Sequence, residues 1–249
     1  MNQRVTIVTG GSRGIGAAAA LACGRRGDAV AVNYTRDAEA AQAVVRQIDD
    51  AGGRAIAVQA DVSVEAEVLR LFETVDSELG VVDGLVNNAG VVDVAARVDQ
   101  MTAARLARMF AINVFGSIYC AREAVKRMST AHGGRGGLIV NVSSAAARLG
   151  GPGQYADYAA AKGAIDSFTI GLAKEVATEG IRVNAVRPGI IDTEIHASGG
   201  QPDRAARMAS LVPLQRPGSA EEVAEAIVWL LSDASSYCTG SFIDVSGGR

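Results

Sequence analysis

The stretch YADYAAAK, from Tyr155 to Lys162, places two phenols close to an amine in the sequence. Residues four apart lie on the same face of a helix, so Tyr158 and Lys162 are expected to be neighbours. Tyr155 is two turns from Lys162, about 10 Å along the helix axis. A free phenol has a pKa of about 10, and a nearby cation stabilises the phenolate and lowers that pKa. If one of the tyrosines transfers protons with the help of the lysine, the spacing makes Tyr158 the partner of Lys162.

A glycine-rich segment, TGGSRGIG from Thr9 to Gly16, follows the first predicted strand and begins an alanine-rich helix. Glycines allow a tight turn and a close approach of the backbone to a phosphate. The free N–H groups at the helix N-terminus attract the anion. Because the motif lies between a strand and a helix, it predicts a dinucleotide-binding loop.

The end of the second predicted strand indicates which dinucleotide is bound. NAD sites usually carry a carboxylate there, which accepts hydrogen bonds from the ribose. This sequence has Thr35 and Arg36 instead, and Arg13 lies in the glycine loop. Two guanidinium groups suit a 2′-phosphate, while Asp37 is expected to cap the next helix. We therefore predict a preference for NADP(H), with NAD(H) as the alternative cofactor.

Short apolar, β-branched segments alternate with longer segments of helical periodicity. Nearly continuous apolar runs are typical of parallel strands covered on both faces. The sustained alternation predicts an α/β fold of the Rossmann type, a doubly wound seven-stranded parallel sheet with helices on both faces. The predicted strands are Arg4–Thr9, Asp28–Tyr34, Arg54–Ala60, Val82–Asn88, Gly137–Ser144, Ile181–Arg187 and Ser241–Gly247.

The 249 residues are expected to form one domain, residues 1–249. A net charge of −3 without runs of like charge argues against nucleic-acid binding. Without a signal segment or an apolar span we expect no membrane association and a cytoplasmic protein. Cysteines and histidines are few and scattered, so no metal site is predicted. Residues 193–217 break the strand–helix rhythm after the sixth strand, and we interpret them as a substrate lid.

Seven short motifs occur in an order that resembles the short-chain dehydrogenase/reductase family over the whole chain. They are TGGSRGIG (Thr9–Gly16), ADV (Ala60–Val62), NNAG (Asn87–Gly90), NV (Asn113–Val114), NVSS (Asn141–Ser144), YAAAK (Tyr158–Lys162) and RPG (Arg187–Gly189). The resemblance implies hydride transfer between a nicotinamide and a carbonyl or secondary alcohol. Lys162 would also contact the nicotinamide ribose.

Site residues follow from the matching motifs. The resemblance implies Tyr158 as general acid/base, with Lys162, Ser144 and Asn113 as its catalytic partners and Ser143 as the alternative serine. The implied cofactor contacts are Thr9, Gly10, Ser12, Arg13, Gly14, Ile15, Gly16, Thr35, Arg36, Asp61, Val62, Asn87, Ala89, Gly90, Tyr158, Lys162, Pro188, Gly189, Ile191 and Thr193. Candidate substrate contacts are Leu149, Gln154, Tyr155, Ile195 and His196.

The substrate remains open at this point. The chain resembles a subgroup that includes glucose-dehydrogenase-like and 3-oxoacyl-acyl-carrier-protein reductase-like enzymes. The second reading requires a basic patch near the site, for which Lys126, Arg127, Arg135 and Lys174 are candidates, although scattered surface charges are the favoured explanation of these residues. A non-catalytic dinucleotide sensor is a third reading, which the retained tyrosine and lysine disfavour. Family members commonly form homotetramers, and helices near Thr102–Met128 and Tyr155–Glu179 would supply the interfaces.

Overall fold

A computed structural model describes residues 3–249 of the chain. Seven strands form one parallel sheet in the order β3-β2-β1-β4-β5-β6-β7. All seven predicted strands and the doubly wound architecture are confirmed, with bounds that differ by a few residues. The strands are β1 (Val5–Val8), β2 (Ala29–Tyr34), β3 (Arg54–Gln59), β4 (Gly84–Asn87), β5 (Gly137–Val142), β6 (Ile181–Pro188) and β7 (Phe242–Val245).

Helices cover both faces of the sheet, because alternate residues of each strand point to opposite sides. In β1, Val5 and Ile7 pack with α3, α5 and α7, whereas Val8 packs with α1, α2 and α10. The helices are α1 (Gly14–Arg25), α2 (Ala38–Asp50), α3 (Glu65–Glu78), α4 (Ala103–Phe110), α5 (Gly116–Met128), α6 (Ala146–Leu149), α7 (Ala156–Glu175), α8 (Ile195–Ser198), α9 (Arg204–Met208) and α10 (Ala220–Leu230). No helix among residues 3–249 has the length and apolar character needed to cross a bilayer.

The helix predicted near Thr102–Met128 is interrupted by a π-helical turn at Ala111–Phe115, which joins α4 to α5. A π turn holds one extra residue and therefore changes the direction of the side chains that follow it. Such turns are frequently found at functional sites. This one contains Asn113, whose side chain is fully buried.

The N-terminal end of α7 is fixed by a buried ion pair between Asp157 and Arg105 of α4. The guanidinium binds both carboxylate oxygens, at 2.7 and 3.2 Å, and also donates to the Val94 carbonyl. The side chains of Asp157 and Arg105 are 0% and 10% exposed. The Asp157 carboxylate also accepts a hydrogen bond from the Tyr158 N–H at 2.9 Å. The pair therefore ties the first turn of α7 to α4 and to the loop after β4.

We expect Arg105→Met to lower the free energy of unfolding by about 3 to 5 kcal/mol, since it leaves the Asp157 carboxylate buried and unpaired. The double variant Arg105→Met/Asp157→Asn should lose less than the single one, because the orphan charge is gone. Urea unfolding of the parent, both single variants and the double variant measures this. Strictly additive losses would contradict a coupled ion pair.

Candidate active site

Two adjoining hollows lie at the carboxyl ends of the strands, on either side of the loop after β4. One, of about 890 Å³, is bordered by the glycine loop, the end of β2 and Asp61; we name it the glycine-loop groove. The other, of about 190 Å³, is bordered by Ser144, Tyr158, Lys162 and part of the 193–217 segment; we name it the tyrosine pocket. They share Gly90 and Thr193 as common walls.

Tyr158 and Lys162 occupy successive turns of α7, as their spacing predicts, and both line the tyrosine pocket. The Lys162 Nζ atom lies 5.7 Å from the centroid of the Tyr158 ring. It donates a hydrogen bond of 2.7 Å to the carbonyl of Val142, the last residue of β5. The ammonium is therefore held between the phenol and the end of a central strand.

Burial sets the protonation of both groups. It raises the pKa of the Tyr158 phenol above 10.0, and a hydrogen bond with Ser144 opposes the rise. It lowers the pKa of the Lys162 ammonium from 10.5 to about 8, and the negative charge of Asp166 opposes the fall. The predicted lowering of the phenol pKa is therefore not met by the protein groups alone, because loss of hydration outweighs the favourable contacts. At neutral pH the phenol is a proton donor.

The two adjacent serines after β5 have different surroundings. Both serines line the tyrosine pocket, and Ser144, which lowers the pKa of Tyr158, accepts a hydrogen bond from Ala146 N–H at 3.1 Å. The Ser143 hydroxyl lies 2.6 Å from an Asp166 carboxylate oxygen and 3.2 Å from the Lys162 carbonyl oxygen. Ser143 therefore ties β5 to α7, whereas the Ser144 hydroxyl donates to no acceptor among the described residues.

Asn113 supports the site from behind. Its amide donates to the carbonyls of Val91 and Met109 at 3.0 and 2.9 Å, and its oxygen accepts from the Val91 N–H at 3.1 Å. A methyl group on Gly90 would lie 2.8 Å from the Asn113 oxygen and 3.6 Å from Lys162 Nζ. Asn113 therefore holds the loop after β4 against the lysine, while its side chain is outside both hollows.

The glycine loop is compact enough that a side chain at Gly16 would not fit. A Cβ there would lie 2.2 Å from the Gly10 carbonyl oxygen and 2.5 Å from the Asn88 amide nitrogen. Gly10 and Gly14 have φ values of +61° and +53°, a region that glycine adopts without strain. This cradle, which opens onto the N-terminus of α1, fits a phosphate group of a dinucleotide.

Asn88 holds this loop in place and was not among the predicted residues. Its amide donates to the carbonyls of Thr9 and Gly10 at 2.9 and 3.1 Å. The Thr9 hydroxyl accepts hydrogen bonds from the N–H groups of Asn88 and Ala89, each at 3.0 Å. The position of Asn88 in the NNAG motif, at the end of the strand next to β1, is the signal that would have identified this residue.

Two predicted cofactor contacts lie behind the groove and not in its wall. Thr9 is buried in the bonds just described, and Asn87 is directed towards Asn141 and the Ser117 carbonyl, at 3.0 and 3.1 Å. They shape the loops and do not face the hollow. The other predicted cofactor residues line one hollow or both: Gly10, Ser12, Arg13, Gly14, Ile15, Gly16, Thr35, Arg36, Asp61, Val62, Ala89, Gly90, Tyr158, Lys162, Pro188, Gly189, Ile191 and Thr193.

The end of the groove near β2 carries two exposed guanidinium groups, those of Arg13 and Arg36. Neither forms an ion pair with any residue in the described part of the chain. The neighbouring Asp37 accepts a hydrogen bond of 2.9 Å from the Ala40 N–H and begins α2. The predicted cap is confirmed, and Thr35 beside it also borders the groove.

Part of the wall of the tyrosine pocket comes from the 193–217 segment, which forms α8, α9 and the loops around them. Of the predicted substrate contacts, Leu149, Tyr155, Ile195 and His196 line the pocket, and Gln154 does not. The missed lining residues include Arg204 and Arg249, which lie far from the motifs in sequence. Gln154 lies outside the pocket wall, and its oxygen accepts a hydrogen bond of 2.8 Å from Arg204.

The proposed basic patch lies at the opposite end of the sheet. Lys126 and Arg127 end α5, Arg135 precedes β5, and Lys174 ends α7, all near the amino ends of the strands. Three of the four are paired with carboxylates of Glu123, Asp76 or Asp83. These residues therefore do not border the entrance to either hollow.

Comparison with known proteins agrees with this geometry. A family model described as enoyl-(acyl carrier protein) reductase, from the short-chain dehydrogenases and reductases, matches residues 10–249. The chain belongs to the short-chain dehydrogenase/reductase family. It is 56% identical to the uncharacterized oxidoreductase YgfF of Escherichia coli K12, over 98% of this chain and 99% of that protein.

Other members of the family also match this chain over nearly its full length. The 3-oxoacyl-[acyl-carrier-protein] reductase of Synechocystis sp. is 40% identical, over 100% of this chain and 97% of its own length. A short chain dehydrogenase from Burkholderia cenocepacia, solved in complex with NADP, superposes with a TM-score of 0.89 at 33% identity, covering 99% and 97% of the two chains. The protein is therefore an oxidoreductase of a family that uses nicotinamide dinucleotides.

In this short-chain dehydrogenase/reductase the buried Lys162 should make stability depend on pH. Its pKa is about 8 in the folded protein and 10.5 when hydrated. Below pH 8 Lys162 is charged in both the folded and the unfolded protein, so the folded protein bears the full free-energy cost of burying the ammonium. As the pH rises from 8 to 10.5, the folded protein loses this proton first and the cost disappears. Relative to Lys162→Met, the parent should therefore gain about 3 kcal/mol over this interval.

Urea unfolding at several pH values, without added dinucleotide, measures the difference. Lys174→Met, which removes an exposed lysine from the same helix, is the matched control and should show a pH-independent difference from the parent. A parent–Lys162→Met difference that stays constant with pH would show that the ammonium is not buried at a cost.

Proposed function

We propose that the protein is an NADP(H)-dependent oxidoreductase that interconverts a small carbonyl compound and its secondary alcohol. The observation that carries the proposal is the half-buried Tyr158 phenol, which lies with Ser144 and Lys162 in a pocket that adjoins the glycine-loop groove. A proton donor, an oxygen-binding hydroxyl and a cation next to a phosphate cradle are the groups that carbonyl reduction requires.

When bound, the dinucleotide supplies the hydride for reduction or accepts it in oxidation. The residues that would hold its phosphates are those of the loop Gly10–Gly16. The Ser144 hydroxyl holds the substrate carbonyl oxygen by a hydrogen bond, and the Tyr158 phenol gives that oxygen its proton. Lys162 stabilises the resulting phenolate, and Asn113, whose side chain fixes the loop around Gly90, continues the proton path through water at its backbone. In the oxidation direction Tyr158 removes the alcohol proton.

Preference for NADP(H) is supported by the exposed, unpaired Arg13 and Arg36 and by the absence of a carboxylate at position 35 or 36. The NADP complex of the Burkholderia cenocepacia relative is a second support. The segment 193–217 closes the tyrosine pocket from outside and acts as the substrate lid of a single domain, residues 1–249, of which the first two lie outside the described range.

Small carbonyl compounds suit the tyrosine pocket better than sugars. Its walls include Val92, Ala146, Leu149, Ile191 and Ile195, and most of its exposed surface is apolar, which disfavours a ligand that carries several hydroxyls. A 3-oxoacyl thioester is the second candidate, favoured by the Synechocystis relative. The basic residues Lys126, Arg127, Arg135 and Lys174 do not support binding of a carrier protein at the site, because they lie at the far end of the sheet.

A homotetramer agrees with the surface of the long helices. Phe115 at the start of α5 is 48% exposed, and Ile170 on α7 is 41% exposed. Leu106 on α4 is 38% exposed, so the helices that were expected to supply the interfaces carry large apolar side chains in contact with solvent. Exposed apolar side chains of this size are typical of association surfaces when they form a patch.

Tyr158→Phe should lower kcat for ketone reduction by roughly 1,000-fold and leave the affinity for NADPH unchanged, because general acid–base catalysis contributes about 100- to 10,000-fold. Ser144→Ala should cost about 100-fold. Ser143→Ala, which removes a hydroxyl one residue away, should lower the free energy of unfolding and lower kcat less than Ser144→Ala does. NADPH oxidation with a panel of ketones, aldoses and acyl thioesters measures the rates. If Tyr158→Phe retains parental activity, the proposed mechanism is wrong.

Arg36→Ala should weaken NADPH binding at least tenfold, about 1.4 kcal/mol or more, and leave NADH binding unchanged, because the guanidinium contacts only the 2′-phosphate. Arg46→Ala, an exposed arginine of α2 outside the groove, is the matched control. Fluorescence titration with both nucleotides gives the dissociation constants. Equal affinity of the parent for NADPH and NADH would contradict the preference.

A further inference from the structure

The tyrosine pocket has an uneven distribution of charge. Lys162, Arg204 and Arg249 line it, and within the part of the chain that the structure describes no aspartate or glutamate does so. Most of the remaining walls are apolar. A pocket of this kind favours a ligand with an apolar body and a negative charge. Lys162 lies beside the Tyr158 phenol, where the reacting oxygen is proposed to bind, so the arginines are the cations left for a second group of a ligand.

Arg204 is held in place by neutral groups. It begins α9, and its guanidinium carbon lies over the Tyr155 ring, 5.1 Å from the centroid. Its Nη1 donates to the side-chain oxygens of Gln154 and Gln201 at 2.8 and 3.4 Å. The neighbouring Asp203 is paired with Arg207, at 3.4 Å, and not with Arg204.

One edge of this guanidinium remains available. Among residues 3–249, Arg204 forms no ion pair, and its Nε and Nη2 donate to no protein acceptor. These two nitrogens form one edge of the planar fork that binds a carboxylate by two parallel hydrogen bonds. Arg105 and Arg187, by contrast, are each bound to a carboxylate of the protein.

The surroundings of Arg204 are organised by further hydrogen bonds. The Gln201 amide donates to the Tyr155 hydroxyl at 2.8 Å, and the Gln201 oxygen accepts from Arg207 at 2.6 Å. Tyr155 is itself buried at the start of α7. A cation fixed in this way loses little conformational entropy on binding an anion, which strengthens the interaction. Tyr155, over whose ring the Arg204 guanidinium lies, precedes Tyr158 by three residues, about one turn of α7.

We propose that Arg204 binds a carboxylate of the substrate. The substrates are then small oxo acids and the corresponding hydroxy acids, with a few apolar carbon atoms between the reacting carbonyl and the carboxylate. The Tyr158 end of the pocket receives the carbonyl, and the lid receives the carboxylate. This inference rests on the proposed carbonyl reductase activity and names its substrate class.

The first test compares 4-oxocyclohexanecarboxylate with its ethyl ester as substrates in the presence of NADPH. The parent should reduce the acid with a kcat/KM at least tenfold higher than that of the ester. Arg204→Gln should remove this preference, mainly by raising KM for the acid, and should leave the ester rate within about threefold. Arg204→Lys should be intermediate, because a lysine keeps the charge and loses the fork. Arg216→Gln, a lid arginine outside the pocket, should match the parent.

The second test measures binding without turnover. Isothermal titration of the enzyme–NADPH complex with cyclohexanecarboxylate and with cyclohexanecarboxamide should give at least tenfold tighter binding of the acid. Arg204→Gln should abolish that difference and keep the affinity for NADPH. Equal binding of acid and amide, no binding of the acid, or an unchanged acid affinity in Arg204→Gln would overturn the inference.

The two proposals fail in different ways. An enzyme that reduces neutral ketones but shows no preference for the acids, in rate or in binding, retains the proposed function and refutes carboxylate recognition. An enzyme that binds NADPH and cyclohexanecarboxylate but reduces no ketone, aldose or thioester refutes the proposed function and leaves the anion site standing.

Discussion

An ammonium group buried beneath a phenol is the constraint on which the rest of the site depends. Lys162 is 4% exposed, and removal of its charge from water is costly unless polar groups replace the hydration. The protein supplies the Val142 carbonyl at the end of β5 and the negative charge of Asp166 one turn further along α7. The pKa of about 8 shows that this replacement is incomplete. An ammonium with remaining hydrogen-bonding capacity is suited to bind further polar groups and to stabilise a phenolate.

The need to compensate the buried charge of Lys162 explains how the strands and α7 are joined. Asp166 bonds to Ser143 after β5 and forms an ion pair of 2.9 Å with Arg187 of β6. Arg187 in turn stacks on Phe242 of β7, 3.9 Å from the ring centroid. At the other end of the catalytic segment, Asp157 is tied to α4 by Arg105. The residues on both sides of Tyr158 and Lys162 are therefore fixed by ion pairs that are largely shielded from solvent, and these pairs tie α7 to α4 and to β6.

The fold could be predicted from the sequence because strands buried on both faces of a parallel sheet consist of nearly continuous apolar residues. All seven strands could be located from apolar runs, and the steric role of Gly16 follows from the loop motif. Features that depend on side-chain direction could not be read in this way. Adjacent residues at the end of β4 differ in role: Asn87 points into the protein and Asn88 supports the glycine loop. The phenol pKa also required the structure, since spacing reveals the lysine and not the loss of hydration.

Chemistry and specificity arise from different parts of the molecule. The proton-transfer groups stand on β5 and α7, where ion pairs and backbone hydrogen bonds leave few alternatives. The groups proposed to select the substrate, Arg204 and its partner Gln201, belong to a segment of short helices that contacts the pocket mainly through side chains. Under this proposal, substitutions in that segment change what the pocket binds. This division explains why the motifs identified the family, while the charge of the pocket became apparent only from the position of residues 193–217 in the structure.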